Sequence, residues 1–257
     1  MIRRLKCLVL IGALAAVSAP AQEPAFMDAA THPAQGQAYL RLLGHASEWR
    51  ADGRDSRRVS LLGKASFGLR SATALMLEPE WNRVKEEGAD AASGWSRLGI
   101  LLKQRFWRKD LGPLDTWRAS WLAGADLPGE KAVRASAHAA PRLGVVTTAI
   151  LGRHGLNGQV DWTGYRDGDD RLRVNASYLF RLAPAVYRAD TRGAWYMVTE
   201  SLNEFTAGGH ARSDAALGLL YEAWGWAVEV GVRLPLALKG GGEDLRQEIV
   251  AGLRWLP

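Results

Sequence analysis

RLRVNASYLFRL, residues Arg171 to Leu182, sets Leu172, Val174, Ala176, Tyr178, Phe180 and Leu182 on one side of an extended chain, and mostly Arg, Asn and Ser on the other. Successive side chains of a strand point to opposite faces, so this is a strand with one greasy and one wet side. Its length is that of one tilted bilayer crossing, about 9 to 11 residues. The same period-2 pattern recurs along the chain behind an export signal. Apolar faces against lipid and polar faces against a lumen are the mark of an outer-membrane β-barrel.

The export signal is MIRRLK, then the apolar CLVLIGALAAV, then SAPA ending at Ala21. A basic region, a short apolar region and a small-residue cleavage site predict a signal peptide over 1–21, cleaved before Gln22. The apolar run is too short for a spanning helix, which needs roughly 20 residues. No stretch of 18 uninterrupted apolar residues follows, although 47% of the residues are hydrophobic, so any membrane span must be β. Cys7 is the only cysteine and leaves with the signal. The mature chain therefore has no disulfide, thiolate nucleophile or sulfur metal ligand. The formal charge of +6 includes Arg3, Arg4 and Lys6, and the +3 left without them is too weak to indicate nucleic acid.

After the signal and a periplasmic leader over 22–36, a single barrel domain is expected over 37–257. Twelve patterned runs end in Gly, Asp, Asn or Pro: 37–50, 57–67, 70–81, 94–107, 115–127, 134–153, 156–165, 171–182, 193–204, 212–223, 226–238 and 244–256. This predicts an all-β, antiparallel up-and-down transmembrane barrel of twelve strands, with ten as the alternative count. The first, sixth and ninth runs are ambiguous, and 37–50 also suits an interfacial helix. Short periplasmic turns should alternate with longer outer loops. With both chain ends periplasmic, the outer loops fall at 51–56, 82–93, 128–133, 166–170, 205–211 and 239–243. The connection 183–192 is too long for its periplasmic side, which counts against twelve.

Tryptophans gather near the ends of the runs, at Trp49, Trp81, Trp95, Trp107, Trp162, Trp195, Trp224, Trp226 and Trp255. Their amphipathic rings suit the two bilayer interfaces. A soluble β-sandwich would alternate in the same way, but it would not need twelve strands of this length. The last run, DLRQEIVAGLRW, sets Leu245, Ile249, Ala251, Leu253 and Trp255 on one face and resembles the carboxy-terminal strand read by barrel-assembly machinery. It departs from that pattern in that Leu256 and Pro257 follow the aromatic residue.

From about Val59 to Trp255 the order of motifs resembles outer-membrane proteins of the meta-pathway of phenol degradation. The motifs are SFGL, GWSRLGILLKQRFW, GADLPGE, GLNGQVDWTGY, DRLRVNASYLFRL, GLLYEAWGWAVEVGVRLPL and the closing GLRW. LPGE stands where that family has Leu-Pro-Thr-Gly, and Met197 to Glu204 matches poorly. The resemblance implies a barrel that passes small organic compounds, with no catalytic residues to carry over.

None of the five histidines, His32, His45, His138, His154 and His210, accompanies a Gly-x-Ser-x-Gly motif or a metal-ligand spacing, so no cofactor or metal is expected. A charge at the lipid midplane costs about 2–4 kcal/mol, which turns charged alternates inward. The expected lumen-lining residues are Arg97, Lys103, Arg105, Arg118, Arg173, Arg181, Glu222, Glu229, Arg233, Arg246, Glu248 and Arg254, with Gln159 and Asp161. Two readings of them stay open, a mildly anion-attracting channel and an Arg–Glu ladder that fills the interior. The expected function is passive passage of small organic or anionic solutes through the outer membrane of a Gram-negative cell. The alternatives are a non-conducting structural or adhesion barrel and a lipid-modifying enzyme. Expected partners are outer-membrane lipid, lipopolysaccharide, the assembly machinery and a small-molecule solute.

Overall fold

The computed structural model describes residues 24–51, 53–112, 115–188, 190–240 and 243–255; the signal region 1–21 lies outside them. Twelve strands follow one another: β1 Ala38–Ala51, β2 Arg54–Arg70, β3 Thr73–Glu86, β4 Ala92–Asp110, β5 Thr116–Pro128, β6 Ala140–Leu151, β7 His154–Thr163, β8 Arg171–Ala183, β9 Gly193–Thr206, β10 Ala211–Ala223, β11 Trp226–Lys239 and β12 Asp244–Trp255. Each pairs with its sequence neighbours, and β1 pairs antiparallel with β12 from Leu40 opposite Trp255 to Arg50 opposite Asp244. The sheet therefore closes with no free edge, so every strand has partners on both sides.

The period-2 pattern explains which way each wall residue points. On β8, Leu172, Val174, Ala176 and Leu182 are exposed, while Asn175, Ser177, Leu179 and Arg181 are buried. On β11, Trp226, Val228, Val230, Val232 and Leu234 form an exposed outer row against buried Ala227 and Glu229. Trp95 and Trp107 stand near the two ends of β4 and are both exposed. Twelve residues at about 3.3 Å each, tilted near 45°, separate them by roughly 28 Å across the membrane, the thickness of a hydrocarbon core.

The start of β1 and the end of β12 lie at one rim, the termini end. Three of its connections are two-residue turns, at 71–72, 152–153 and 224–225. Gly225 turns the chain at φ 80°, a left-handed conformation that glycine enters without steric cost. The opposite rim, the loop end, carries the longer connections 129–139 and 164–170. Three lengths break the expected alternation, 52–53 at the loop end and 111–115 and 184–192 at the termini end.

The first run is a strand rather than an interfacial helix. The sixth begins at Ala140 instead of residue 134 because the preceding backbone is engaged elsewhere: Glu130 N–H donates to Trp95 O, Arg134 N–H to Glu130 O and Ala137 N–H to the Asp167 carboxylate. Trp49 does not join the interfacial tryptophans. It turns into the lumen, where Arg58 and Arg212 approach its ring at 5.4 and 4.7 Å and its indole N–H donates to Ser47 Oγ.

Candidate functional site

The lumen is occupied by the chain itself. Residues 22–36, expected as a periplasmic leader, lie in their described part, 24–36, within the barrel, where Ala25, Met27, Asp28, Ala29, Ala30 and Thr31 are buried. PAFMDAATHPAQG has no alternation that could join the sheet, so its backbone groups need other partners. Wall side chains supply them. Arg41 of β1 donates to Pro24 O at 2.6 Å, and Glu200 of β9 accepts the N–H groups of Ala25 and Phe26. Gln159 of β7 accepts Asp28 N–H, Lys103 of β4 donates to Ala29 O, and Thr148 of β6 accepts Ala30 N–H.

At the entrance, Gly36 N–H donates to Gly68 O and Gly68 N–H to Gln37 O. A side chain on Gly68 would lie 2.0 Å from Ala34 O, so only glycine lets the incoming chain pass β2 this closely. Deeper in, Ala30 packs on Met76, Leu101, Leu122 and Val146, and Ala25 on Leu43 and Val250. The segment is thus seated on small apolar patches between charged ones.

The charges around it are paired. Asp28 binds Lys64 at 2.7 Å and lies 3.6 Å from Arg142, which in turn binds Glu78 at 2.7 Å and lies 4.0 Å from Asp161. Arg173 reaches the same Asp161 at 2.7 Å, and Arg97 spans Glu80 and Asp126. On the far wall Arg41 and Arg254 share Glu229, while Arg233 joins Asp214 to Glu248, which also binds His45. Groups this buried are tolerable only when paired and hydrogen-bonded, and the ladder supplies those partners around the segment.

A second element narrows the termini end. One side chain of the long connection 184–192 turns inward: Tyr187 packs on Leu179, Tyr196, Val198 and Leu220, and its hydroxyl meets that of Tyr196 at 2.5 Å. The Arg181 guanidinium stacks on the Tyr187 ring at 4.1 Å and donates to Ala185 O. This connection is long without adding or removing a strand, and the count of twelve stands.

Of the expected lumen residues, Lys103, Arg181, Glu222, Glu229, Glu248 and Arg254 are buried, and Arg97, Arg173 and Arg233 are half-buried in the ion pairs above. Arg105 and Arg118 are half-buried near the termini end, bonded to Ser71 O and Thr116 Oγ1. Arg246 is a correction. The β1–β12 register skips it between Glu48 and Trp49, so this bulge turns Arg246 to the exposed outer side and brings Leu245, expected outside, fully into the interior.

Sequence reasoning did not name Arg41, Lys64, Glu78, Arg142, Glu200 or Asp214 as lumen residues. Arg41, Arg142 and Glu200 lie on β1, β6 and β9, the strands whose pattern was ambiguous. Among the described residues no histidine ring is bonded to a serine; His45 meets Glu248, His154 meets Tyr178 OH, and His32 lies against Ala30 O.

A closed twelve-strand barrel with an apolar outer belt defines the class, an outer-membrane-type β-barrel. Solved structures share this fold. The chain is similar to an outer membrane channel from Pseudomonas putida F1, at 13% identity over 90% of this chain and 100% of that one, with a TM-score of 0.59. It is also similar to the translocator domain of the autotransporter NalP from Neisseria meningitidis, at 12% identity over 88% and 90% of the two chains, with a TM-score of 0.51. No family model matches the chain, and no curated protein matches it.

Proposed function

We propose that this barrel sits in the outer membrane, with its termini end in the periplasm, and passes small organic solutes when residues 24–36 leave the lumen. The observation that carries this reading is how that segment is held. It is joined to the wall by side-chain hydrogen bonds and ion pairs, not by strand pairing, so it can be withdrawn with the barrel left closed on itself. Alternating apolar patches and paired charges suit a solute with an apolar body and a polar group better than a simple inorganic anion. The resemblance to the phenol-degradation barrels and the likeness to the Pseudomonas putida channel support the same reading.

The test is conductance in planar bilayers. The protein with its segment should show small or infrequent openings of weak ion selectivity, and a form lacking residues 24–35 should conduct several-fold more. Charge reversal at Arg173 or Arg233 should then shift the reversal potential. Silence of both forms, with the barrel still heat-modifiable, would sink the channel. The second reading, a closed structural barrel, is favoured by the buried Glu78–Arg142 pairing at its centre and predicts that silence.

A further inference from the structure

The outer side of the wall carries a cluster of cations at the loop end that the lumen does not use. Arg50 of β1, Arg57 of β2, Arg83 and Lys85 of β3 and Arg246 of β12 are all exposed. Register places them together: Arg57 is paired directly with Lys85, Val59 with Arg83, and Glu48 with both Arg57 and Gln247, beside the Arg246 bulge. Three carboxylates share this face, Glu48, Asp55 and Glu87, the last accepting the Asp55 N–H at 3.4 Å. Asp55 holds Arg50 through two contacts of 2.7 and 3.1 Å, and Glu48 lies 3.3 Å from Arg57. Among the described residues Arg83, Lys85 and Arg246 make no ion pair.

Two features point to an anionic partner here. Like charges set directly opposite across strands destabilise a sheet, so Arg57 against Lys85 is a local liability unless something negative covers both. Depth is the second. The cations begin where the lipid-facing row of Leu61, Val59 and Ile249 ends, and one step below Arg83 the exposed Trp95 pairs with Trp81. Tryptophan marks the interface, so the cluster stands at headgroup level.

We infer that this face binds the phosphate groups of lipopolysaccharide, with Arg57, Arg83 and Lys85 as the main contacts and Arg246 at the margin. Charge-assisted hydrogen bonds from guanidinium groups to phosphate supply the recognition, and the apolar row beneath receives the acyl chains. The site lies outside the barrel and does not depend on whether the lumen conducts. It needs only the loop end in the outer leaflet.

The experiment measures lipopolysaccharide retained by the full mature protein in detergent, by native mass spectrometry. A variant carrying Arg57→Gln, Arg83→Gln and Lys85→Gln should retain at least tenfold less. Dephosphorylated lipopolysaccharide should bind the unaltered protein at least tenfold more weakly, and millimolar inorganic phosphate should not displace the intact lipid. Wild-type retention by the variant, or equal binding of the dephosphorylated lipid, would overturn the site; full displacement by inorganic phosphate would overturn the lipid as its occupant. Lys85→Glu guards against a folding artefact, since it gives Arg57 an opposite charge. Its heat-modification temperature should not fall while lipopolysaccharide retention does, and unchanged retention would count against the inference.

Discussion

The wall and the segment inside it are held by different rules. Every strand of the wall has hydrogen-bonded neighbours on both sides, so its order is distributed over twelve ladders and repeats with the residue period. The inner segment has no ladder. Arg41, Lys64, Lys103, Thr148, Gln159 and Glu200, each from a different strand, hold it at single points. A distributed structure tolerates the loss of one contact, whereas a pinned one fails pin by pin. Substitutions can therefore release the segment without opening the wall.

The largest effect should come where the two systems share a residue. Arg142 is bonded to Glu78 and lies near both Asp28 and Asp161, and its side chain is only 4% exposed. Arg142→Ala would take from buried Glu78 its closest cation, a loss of up to about 3–5 kcal/mol by analogy with other broken buried pairs, while Asp28 keeps Lys64 and Asp161 keeps Arg173. Urea titration of the folded barrel in detergent would show it as a lower midpoint. Val174→Ala, on the lipid-facing row of β8, is the contrasting substitution and should shift the midpoint far less. Equal shifts would erase the distinction between lumen and wall.

Glu200→Ala should come next and act on the segment alone. It removes the acceptor for two backbone N–H groups, worth about 1–3 kcal/mol if they stay buried and unbonded. The expected signature is protease cleavage near residues 24–30 and more frequent channel openings, with the amide infrared band of the sheet unchanged. Loss of the sheet signal at the same time would show that segment and wall unfold together.

The same contrast explains what could be read from the chain. RLRVNASYLFRL and WAVEVGVRLPL alternate because one side meets hydrocarbon, and a solvent difference that large imprints itself on every second residue. The inner segment meets wall side chains on all sides, so no period marks it. The lumen face is also mixed: Leu43 and Trp49 on β1, Val146 and Ile150 on β6, and Tyr196, Val198 and Leu202 on β9 point inward and remove the polar half of the pattern on those strands. That is why inward charges were legible on β4, β8 and β11 but Arg41, Arg142 and Glu200 were not. Bulges account for Arg246: skipping one residue reverses a face, and period-2 reading cannot see the skip.

A smaller effect should separate the connection 184–192 from the inner segment. Tyr187→Phe removes the bond to the Tyr196 hydroxyl but keeps the ring under Arg181 and against Leu179 and Leu220. The cost should be about 0.5–1.5 kcal/mol in the unfolding midpoint, with no gain in conductance, because the inner segment keeps its own pins. A rise in conductance matching that of Glu200→Ala would mean that this connection, too, governs access.

The smallest effect lies wholly outside the membrane, where loops are held by single contacts as the inner segment is. Asp167, in the connection 164–170, accepts the Ala137 N–H at 3.0 Å and the Ser136 hydroxyl at 3.0 Å, tying it to 129–139. The Ala137 N–H bond, followed by the Ser136 hydroxyl bond, holds the Asp167 carboxyl below the ordinary aspartate value of 3.8. A carboxyl whose folded value is depressed stabilises the folded form above its unfolded value and loses that contribution as pH falls through the folded one. The tie between the loops should therefore persist through neutral pH and weaken only below about pH 4. The Ala137 amide shift in NMR should titrate with a midpoint below the ordinary aspartate value, and Asp167→Asn should abolish the titration. A midpoint at the ordinary value would mean that the two loops move independently and that single-point anchoring works only in the shelter of the lumen.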